Sequence, residues 1–579
     1  MTKFYVNNLC LHDGDLGTIS GALSTRDSKK AIAPPWVPQS GSSTDILIKP
    51  LKPRLLPQLM AALLTCWVNL ASGASLGYAT PALPSLQQPN SRLHITESQG
   101  SWVAGLVMLG ALAGGVLAGP CISLGRRRAL WLVATPLTFA WVLIALAPNV
   151  WFLYIAHFIL GMCLGIIADA SQLYVSETAS AQWRGALGCI PVLMFNVGIL
   201  TCYTAGAWLD WQDLAFFGGG LTLPALLFPI VVPESPSYLV AQGKMGDAIA
   251  ALHWLRGATY DITSEYHQSS IKYMAYRTIH YIQKHMGSNI HIANHVLQEL
   301  LHCEKGPGVL GRLKSLCDHE IIRPLLLTGA IRALSRFCGL RAILCYTQTI
   351  LLSSQSSLDV EVATIITGAV QLIATFIACG LLDRLGRRKL LIGSQGVMGL
   401  SLVGLACYHY YHEDLRGTRG NLVGWLPVIA IMVYIVANSI GLGPVSGIII
   451  GELVPQRHRS IASSITGAVS WLSAFIVTKT FLDLKTVLNL HGALWLYGSV
   501  CLIGVLFVYF SLPETRGISQ YDIEILFTAK RHHNNGLTET KMGQSKSLMV
   551  LQVPTNKASI CDTCSTQSSK MSSPDNISV

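Results

Sequence analysis

Hydrophobic residues along this chain are gathered into about twelve apolar stretches, separated by short polar segments and one long polar segment. Each stretch is close to the ~20 residues that an α-helix needs to cross the hydrocarbon core of a bilayer. The stretches, numbered here as spans 1 to 12, lie near residues 55–75, 100–120, 129–147, 150–170, 185–206, 213–232, 325–347, 362–382, 389–408, 424–447, 461–482 and 492–512. This pattern predicts an all-α membrane protein with twelve transmembrane helices.

The long polar segments divide the chain into five parts and place the spans in two groups of six. Both ends of the chain are rich in Ser, Thr and Asn, which is typical of disorder. The middle segment has apolar residues at helical spacing, for example Ile249 and Leu252. We predict an N-terminal tail, a first six-helix bundle, a helical linker, a second six-helix bundle and a C-terminal tail over residues 1–53, 54–234, 235–323, 324–515 and 516–579.

Composition and charge support a membrane protein and disfavour other classes. Charged residues are only 12% of the chain, against about 25% in a soluble domain. Lys and Arg concentrate in alternate loops and in both tails, and the opposite loops hold few. The positive-inside rule therefore places both termini and the linker in the cytoplasm, and we expect a multi-pass plasma-membrane protein. The net charge of +11 follows this distribution. The lipid bilayer is thus an expected partner and nucleic acid is not.

Three short motifs occur twice, in the same order, once in each group of spans. Each copy in the second group follows the first by close to half the chain. Such parallel repeats are typical of transporters built about an axis along the membrane normal. The pairs are Leu124-Gly125-Arg126-Arg127-Arg128 with Leu385-Gly386-Arg387-Arg388-Lys389, Glu177 and Arg184 with Glu452 and Arg459, and Pro233-Glu234-Ser235 with Pro513-Glu514-Thr515.

The repeated charges are candidates for a conformational latch. An arginine–carboxylate pair at the cytoplasmic end of a helix is strong enough to hold one orientation and can still be broken near water. The alternative is that the arginine clusters only set the topology, but a duplicated acid–base spacing is more than topology requires. The latch residues we predict are Arg126, Arg127, Glu177, Arg184, Asp383, Arg384, Arg387, Arg388, Glu452 and Arg459.

Taken together, these motifs resemble those of the sugar porters of the major facilitator superfamily, over roughly residues 55–525. Within that family, the chain is most similar to the insect trehalose-transporter-like branch. The resemblance implies two six-helix bundles around a central cavity and a monomer that carries trehalose or hexose-like sugars by alternating access. Its residues, besides the repeated motifs, are Tyr174-Val175-Ser176-Glu177, Gly443-Pro444, Gly451-Glu452, Pro81-Ala82-Leu83-Pro84-Ser85-Leu86, Thr478-Lys479-Thr480-Phe481 and His491-Gly492.

Two departures from the family pattern concern mechanism. The acid expected three residues before the first loop glycine is replaced by Ile122, whereas the second half keeps Asp383. We therefore expect a weaker clamp on the first half and a bias toward the inward-open state. The proton-coupling pair of proton-driven members is also missing, since Ala79 and His157 occupy its positions. Without a buried carboxylate to load and unload a proton, we predict facilitated diffusion.

The largest departures lie in the expected sugar site. Neutral sugars are bound by amides and aromatic faces. The family's amide and Trp positions here hold Val192, Ser335, Arg336, Arg341 and Gly447. The predicted substrate-binding residues are Ser335, Arg336, Arg341, Gln371, Ser470 and Trp471.

Span 7 is unusual because it carries Arg332, Arg336 and Arg341 in an apolar run. Two interpretations remain open. Arg336 and Arg341 line the cavity and favour an anionic substrate, or the arginines pair locally in a protein that has lost sugar binding. We expect Arg341 to lie apart from the other two unless the helix unwinds around Gly339.

No motif indicates catalysis, a cofactor or a metal. Gly125-Arg126 and Gly386-Arg387 lack the context of a phosphate-binding loop. The pair Cys561 and Cys564 lacks further ligands at zinc spacing. The chain is therefore predicted not to be an enzyme. The alternatives to a sugar carrier are an organic-anion carrier using Arg336 and Arg341, or a non-transporting solute sensor.

Overall fold

The computed structural model describes residues 53–180, 182–257, 319–353, 358–414, 425–454 and 459–514. Within these ranges the chain is helical and contains no β-strand. Nearly all of the two predicted tails and residues 258–318 of the linker lie outside the described residues, so the domain boundaries there stay predictions.

Helices occupy all twelve predicted stretches. Spans 1 to 6 are Leu55–Gln87, Glu97–Ser123, Arg126–Ala145, Val150–Thr178, Arg184–Ala205 and Trp211–Val231. Span 7 consists of His319–Phe337, Leu340–Cys345 and Thr347–Ser353, and spans 8 to 10 are Val360–Leu385, Arg387–Asp414 and Leu426–Leu453. Spans 11 and 12 form one run, Arg459–Ser511, which bends at Asn489, where φ is 57°. By length and hydropathy alone, nine helices of the described part qualify as membrane spans; that count joins spans 11 and 12 and omits spans 6 and 7.

Two short helices of the linker follow span 6. They are Pro236–Ala241, capped by the Ser235 side chain, and Met245–Arg256. Arg256 anchors the second helix, since its Nη1 donates to the carbonyl oxygen of Thr178 at 2.7 Å. The backbone N–H of Arg54 donates in turn to the carbonyl oxygen of Arg256 at 3.1 Å. The linker therefore begins as a helical layer against the ends of spans 1 and 4. We call this side of the molecule the basic face and the other side the opposite face.

Glycines bring the helices of the first half into backbone contact. A Cβ added at Gly110 of span 2 would lie 2.1 Å from the carbonyl oxygen of Phe158 in span 4. A Cβ at Gly161 of span 4 would lie 2.0 Å from the carbonyl oxygen of Val107 in span 2. Small residues at such crossings allow the close van der Waals packing that replaces the hydrophobic effect inside a bilayer.

The two six-helix groups meet through matching spans. Span 2 packs against span 11, and span 5 packs against span 8. If spans 1 to 6 are superposed in order on spans 7 to 12, span 2 corresponds to span 8 and span 5 to span 11. The two contacts therefore exchange under a two-fold rotation, which is the relation that a parallel repeat predicts.

Span 7 is not a continuous helix. It breaks at Gly339, whose φ of 88° lies in the left-handed region. A Cβ at this position would also lie 2.7 Å from the ring of Tyr497 in span 12. The helix therefore unwinds around Gly339, which is the condition under which Arg341 was not expected to lie apart from Arg332 and Arg336.

Candidate functional site

At the basic face of the first half, three side chains form an ionic cluster that we call the first clasp. Arg126, at the start of span 3, donates from Nε and Nη2 to the two carboxylate oxygens of Glu177 at 3.0 and 2.9 Å. Ser235, after span 6, donates its hydroxyl to the same carboxylate. Both charged side chains are mostly covered, with 19% and 15% exposed. The first clasp therefore ties span 3 to span 4 and to the beginning of the linker.

A second carboxylate, that of Glu234, caps the first turn of span 3. Its Oε1 accepts from the backbone N–H of Arg127 at 2.9 Å and from that of Ser235 at 3.0 Å. Free N–H groups at a helix N-terminus favour such an anion. The loop must carry Gly125, because φ there is 125° and a Cβ would lie 2.7 Å from Oε2 of Glu234.

The second half repeats this geometry, and we call the repeated pair the second clasp. Arg387, at the start of span 9, donates from Nε to Oε1 of Glu452 at 2.9 Å. The backbone N–H of Arg387 donates to Glu514 at 3.0 Å. Gly386 has a φ of 84°, and a Cβ there would lie 3.1 Å from Glu514. Each clasp joins helices of its own half, so the repeated sequence motifs fold into repeated ionic clusters.

The other predicted latch residues divide into three groups. Arg127 donates from Nη1 to the carbonyl oxygen of Val232 at 3.0 Å, and Arg388 donates to that of Tyr509 at 2.5 Å. Arg184 is exposed at the start of span 5. The side chains of Asp383, Arg384 and Arg459 lie outside the described residues. The comparison of Ile122 with Asp383, and the latch itself, stay predictions.

Arg336 lies where spans 7 and 11 meet. Its Nε donates to the hydroxyl of Ser470 at 2.8 Å, and its guanidinium lies 5.8 Å from the centre of the Trp471 ring. Ser335 is turned to its own helix, since its hydroxyl donates to the carbonyl oxygen of Arg332 at 2.7 Å. The structure thus brings together three predicted binding residues, and Ser335 is not placed to contact them.

Arg341 lies just past the break at Gly339, and its guanidinium is close enough to that of Arg336 for the two charges to repel each other. Its side chain interacts electrostatically with Tyr203 of span 5 and Cys345 of span 7. Nearby, the hydroxyl of Thr80 in span 1 donates to the carbonyl oxygen of Leu344 at 2.8 Å. This end of span 7 therefore contacts the first half close to the opposite face.

Gln371 of span 8 belongs to a polar network between the halves. Its Nε2 donates to Oδ1 of Asn196 in span 5 at 3.0 Å. The amide of Asn196 donates in turn to the hydroxyl of Thr375 at 2.8 Å. Gln371 was predicted from the sequence as a binding residue, and Asn196 and Thr375 were not. In the sequence, each of these two residues is a single polar side chain within an apolar span. Only the packing of the helices distinguishes them from other isolated polar residues.

A carboxylate in span 4 lies outside the positions of the family's proton-coupling pair. Asp169 is exposed and interacts electrostatically with Arg332 of span 7, and the absence of proton coupling stays a prediction. Arg332 donates from Nε to the carbonyl oxygen of Ser446 at 3.3 Å. Opposite charges from the two halves thus face each other across the region between spans 4 and 7. The signal that could have found Asp169 is a lone acid in an apolar stretch.

His157, at one position of the family's proton-coupling pair, lies inside the first half. The ring is fully buried, and its Nδ1 lies 2.8 Å from the carbonyl oxygen of Leu153 one turn earlier. Tyr78 of span 1 lies against it, with ring centres 5.7 Å apart. It is therefore a packed core side chain in this structure.

The twelve helices in two related groups, with a clasp in each, have the fold of the major facilitator type. The chain is similar to the xylose transporter XylE from E. coli in an inward-open conformation, with a TM-score of 0.59 and 20% sequence identity, over 81% of this chain and 99% of that one. Another structure of XylE, described as a major facilitator superfamily proton:xylose symporter, gives 22% identity and the same TM-score over the same shares. At these identities the likeness shows the fold, and it confirms the predicted fold class.

The model of the family "Sugar (and other) transporter" matches residues 59–527, and the chain belongs to this family. The facilitated trehalose transporter of Anopheles gambiae is 34% identical over 509 residues, which are 87% of this chain and 60% of that protein. That of Apis mellifera ligustica is 31% identical over 527 residues, 90% of this chain and 99% of that protein. The chain thus spans only about 60% of the length of some of its relatives. The resemblance and the expectation of a transporter rather than an enzyme are confirmed.

Proposed function

We propose that this protein is a facilitative carrier of trehalose or hexose-like sugars, which works by alternating access and without proton coupling. The observation that carries the proposal is the network of Gln371, Asn196 and Thr375 between the halves. Uncharged amides and hydroxyls can both donate and accept, as sugar hydroxyl groups require. The trehalose-transporter relatives support the choice of substrate class.

The proposed orientation places the basic face in the cytoplasm and the protein in the plasma membrane. Contacts between the halves gather near the opposite face, where Lys479 of span 11 lies 5.3 Å from the ring of Trp102 in span 2. Asp169, further toward the basic face, is exposed. We interpret this arrangement as open toward the cytoplasm, in agreement with the expected inward bias.

Uptake into oocytes that express the protein tests the proposal. We expect saturable entry of labelled trehalose or glucose that never exceeds the external concentration and is unaffected by a protonophore. Gln371→Leu should weaken uptake, whereas Thr364→Val should leave it unchanged, because the Thr364 hydroxyl donates to the Val360 carbonyl oxygen of its own helix. Accumulation that a protonophore abolishes would instead indicate coupling, with Asp169 as the carboxylate to test. Absence of flux despite surface expression would favour a solute sensor.

A second candidate substrate is an organic anion. Arg336 has a hydroxyl and an aromatic face as its contacts, and no ion pair with a carboxylate joins it within the described residues. A guanidinium at such a site is expensive within a membrane unless an anion or water reaches it. Uptake of labelled carboxylates in the same oocytes, abolished by Arg336→Gln while sugar uptake is absent, would establish this alternative.

A further inference from the structure

A cavity of about 490 Å³ lies at the basic face, outside the region between the two halves. Its walls come from the start of span 3, the end of span 6 and the two linker helices Pro236–Ala241 and Met245–Arg256. None of its lining residues takes part in the polar network or contacts Arg336. It is therefore a separate cavity from the proposed sugar pathway, and we call it the interfacial cavity.

The charges that line the interfacial cavity favour an anion. Arg127, Arg128 and Lys244 contribute three cations, and Glu234 and Asp247 contribute two acids. Glu234 is buried and its carboxylate accepts from two backbone N–H groups at the start of span 3 and before the linker helix. Asp247, which is exposed in the first turn of Met245–Arg256, is the other acid. An anion that binds beside the cations would be repelled mainly by Asp247.

The mouth of the interfacial cavity lies at the boundary between lipid and water. Ile230 and Val231, the last residues of span 6, line it and are 82% and 53% exposed. Aliphatic side chains so exposed at the end of a spanning helix face acyl chains rather than water. Trp254, which is 37% exposed, lines the opposite wall, and Trp is enriched at the headgroup level of membranes. An anion that enters from the membrane would thus have its charge among the cations and its chains beside span 6.

We propose that the interfacial cavity binds the phosphate-bearing headgroup of an anionic lipid of the cytoplasmic leaflet. Guanidinium groups bind phosphate oxygens in a bidentate manner, and Lys244 adds a compact charge from the other wall. The headgroup joins Arg128 at the start of span 3 to the first turn of Met245–Arg256. It therefore stabilises the linker helix against the same end of span 3 that carries the first clasp.

The test is equilibrium binding of labelled phosphatidylinositol bisphosphate to full-length protein, with both incorporated in the same phosphatidylcholine bilayer. A parallel arm uses soluble inositol trisphosphate, which has the phosphates without the acyl chains. Each surface cation contributes to anionic-lipid binding, so Arg128→Gln and Lys244→Gln should each weaken binding roughly fivefold, and the double variant roughly 30-fold. Asp247→Asn should strengthen binding, because it removes the uncompensated acid.

Arg323→Gln is the matched control, since Arg323 is also exposed at the basic face, at the start of span 7, but does not line the interfacial cavity. The control should leave the affinity within twofold of the unmodified protein. Equal losses in Arg323→Gln and Lys244→Gln would overturn the proposal, because binding would then follow overall charge. Soluble inositol trisphosphate that binds as tightly as the lipid would overturn the lipid as the ligand, and the cavity would then be a site for a soluble phosphate ester.

Discussion

The first clasp allows a sharp prediction, since a single carboxylate receives three hydrogen bonds. Glu177 accepts two from the Arg126 guanidinium and one from the Ser235 hydroxyl. Glu177→Gln keeps the size of the side chain but removes its charge, and it replaces one acceptor oxygen by an NH₂ group that opposes a donor. The variant can therefore satisfy only part of the cluster.

The size of the effect follows from the geometry. A hydrogen bond to a charged group is worth about 1.5–3 kcal/mol, and the mostly covered pair keeps much of that value. Losing one such bond should raise the population in which the first clasp is open by roughly 10- to 150-fold. Hydrogen exchange of backbone amides measures this population directly. We expect faster exchange over residues 126–129 and 234–239 and unchanged exchange over residues 97–105 at the opposite face.

Uptake and exchange together decide whether the first clasp also acts as a latch. If the first clasp holds one orientation, Glu177→Gln and its counterpart Glu452→Gln should both change sugar uptake. Glu97→Gln is the control, because Glu97 is exposed at the far end of span 2. Faster amide hydrogen exchange with unchanged sugar uptake would show that the first clasp stabilises its own six-helix group and is not a latch. Unchanged exchange in both variants would refute the energetic argument itself.

Three further predictions concern the region between the halves and its packing. Arg336→Gln should raise the half-saturating sugar concentration by up to roughly 10- to 150-fold, the value of one hydrogen bond from a charged group. Carboxylate uptake that this variant abolishes, with sugar uptake absent, would contradict sugar as the substrate. Asp169→Asn leaves Arg332 without its counter-charge and should reduce transport. The double variant Asp169→Asn with Arg332→Gln should restore most of the transport, and a double variant that transports no better than Asp169→Asn alone would contradict a charge pair. Gly161→Ala should lower the free energy of unfolding by about 1–3 kcal/mol through overpacking, which thermal unfolding in detergent measures. Gly119→Ala is the control and should have no effect, because the space around an added Cβ is open. Equal stability of both variants would contradict the close crossing of spans 2 and 4.

The helices were predictable from the sequence because membrane thickness sets their length. All twelve stretches were found without knowledge of any contact, and the gap before residue 492 matches the bend at Asn489. The sequence left open whether span 7 is continuous or unwinds around Gly339. Gly339 by itself does not require a left-handed conformation, and the ring of Tyr497 that excludes a side chain there comes from span 12. Breaks of this kind depend on distant packing.

The clasps were predictable in type but not in pairing. Charge repetition identified Glu177 and the arginine cluster, but not which arginine meets the acid or that Glu234 caps span 3. The polar network escaped prediction, because Asn196 and Thr375 are single polar residues on two helices distant in sequence. Asp169 was visible in the sequence as an acid inside an apolar stretch. The family pattern does not point to it, because the family's proton-coupling pair corresponds to other positions, Ala79 and His157.

The two halves carry similar charges at the basic face but different charges in the region where they meet. This difference affects how strongly the membrane potential can drive uptake. Both clasps pair the first arginine of the loop with a glutamate of the same half, as expected for elements that move equally in a rocking motion. By contrast, the guanidinium groups of span 7 all belong to the second half, and Asp169 belongs to the first. Closing the region between spans 4 and 7 would bring Asp169 toward Arg332 and leave Arg336 with the excess charge. A neutral sugar does not alter that balance, but an anion neutralises it. The effect of membrane potential on uptake should therefore differ between the two substrate classes, and it distinguishes them independently of affinity.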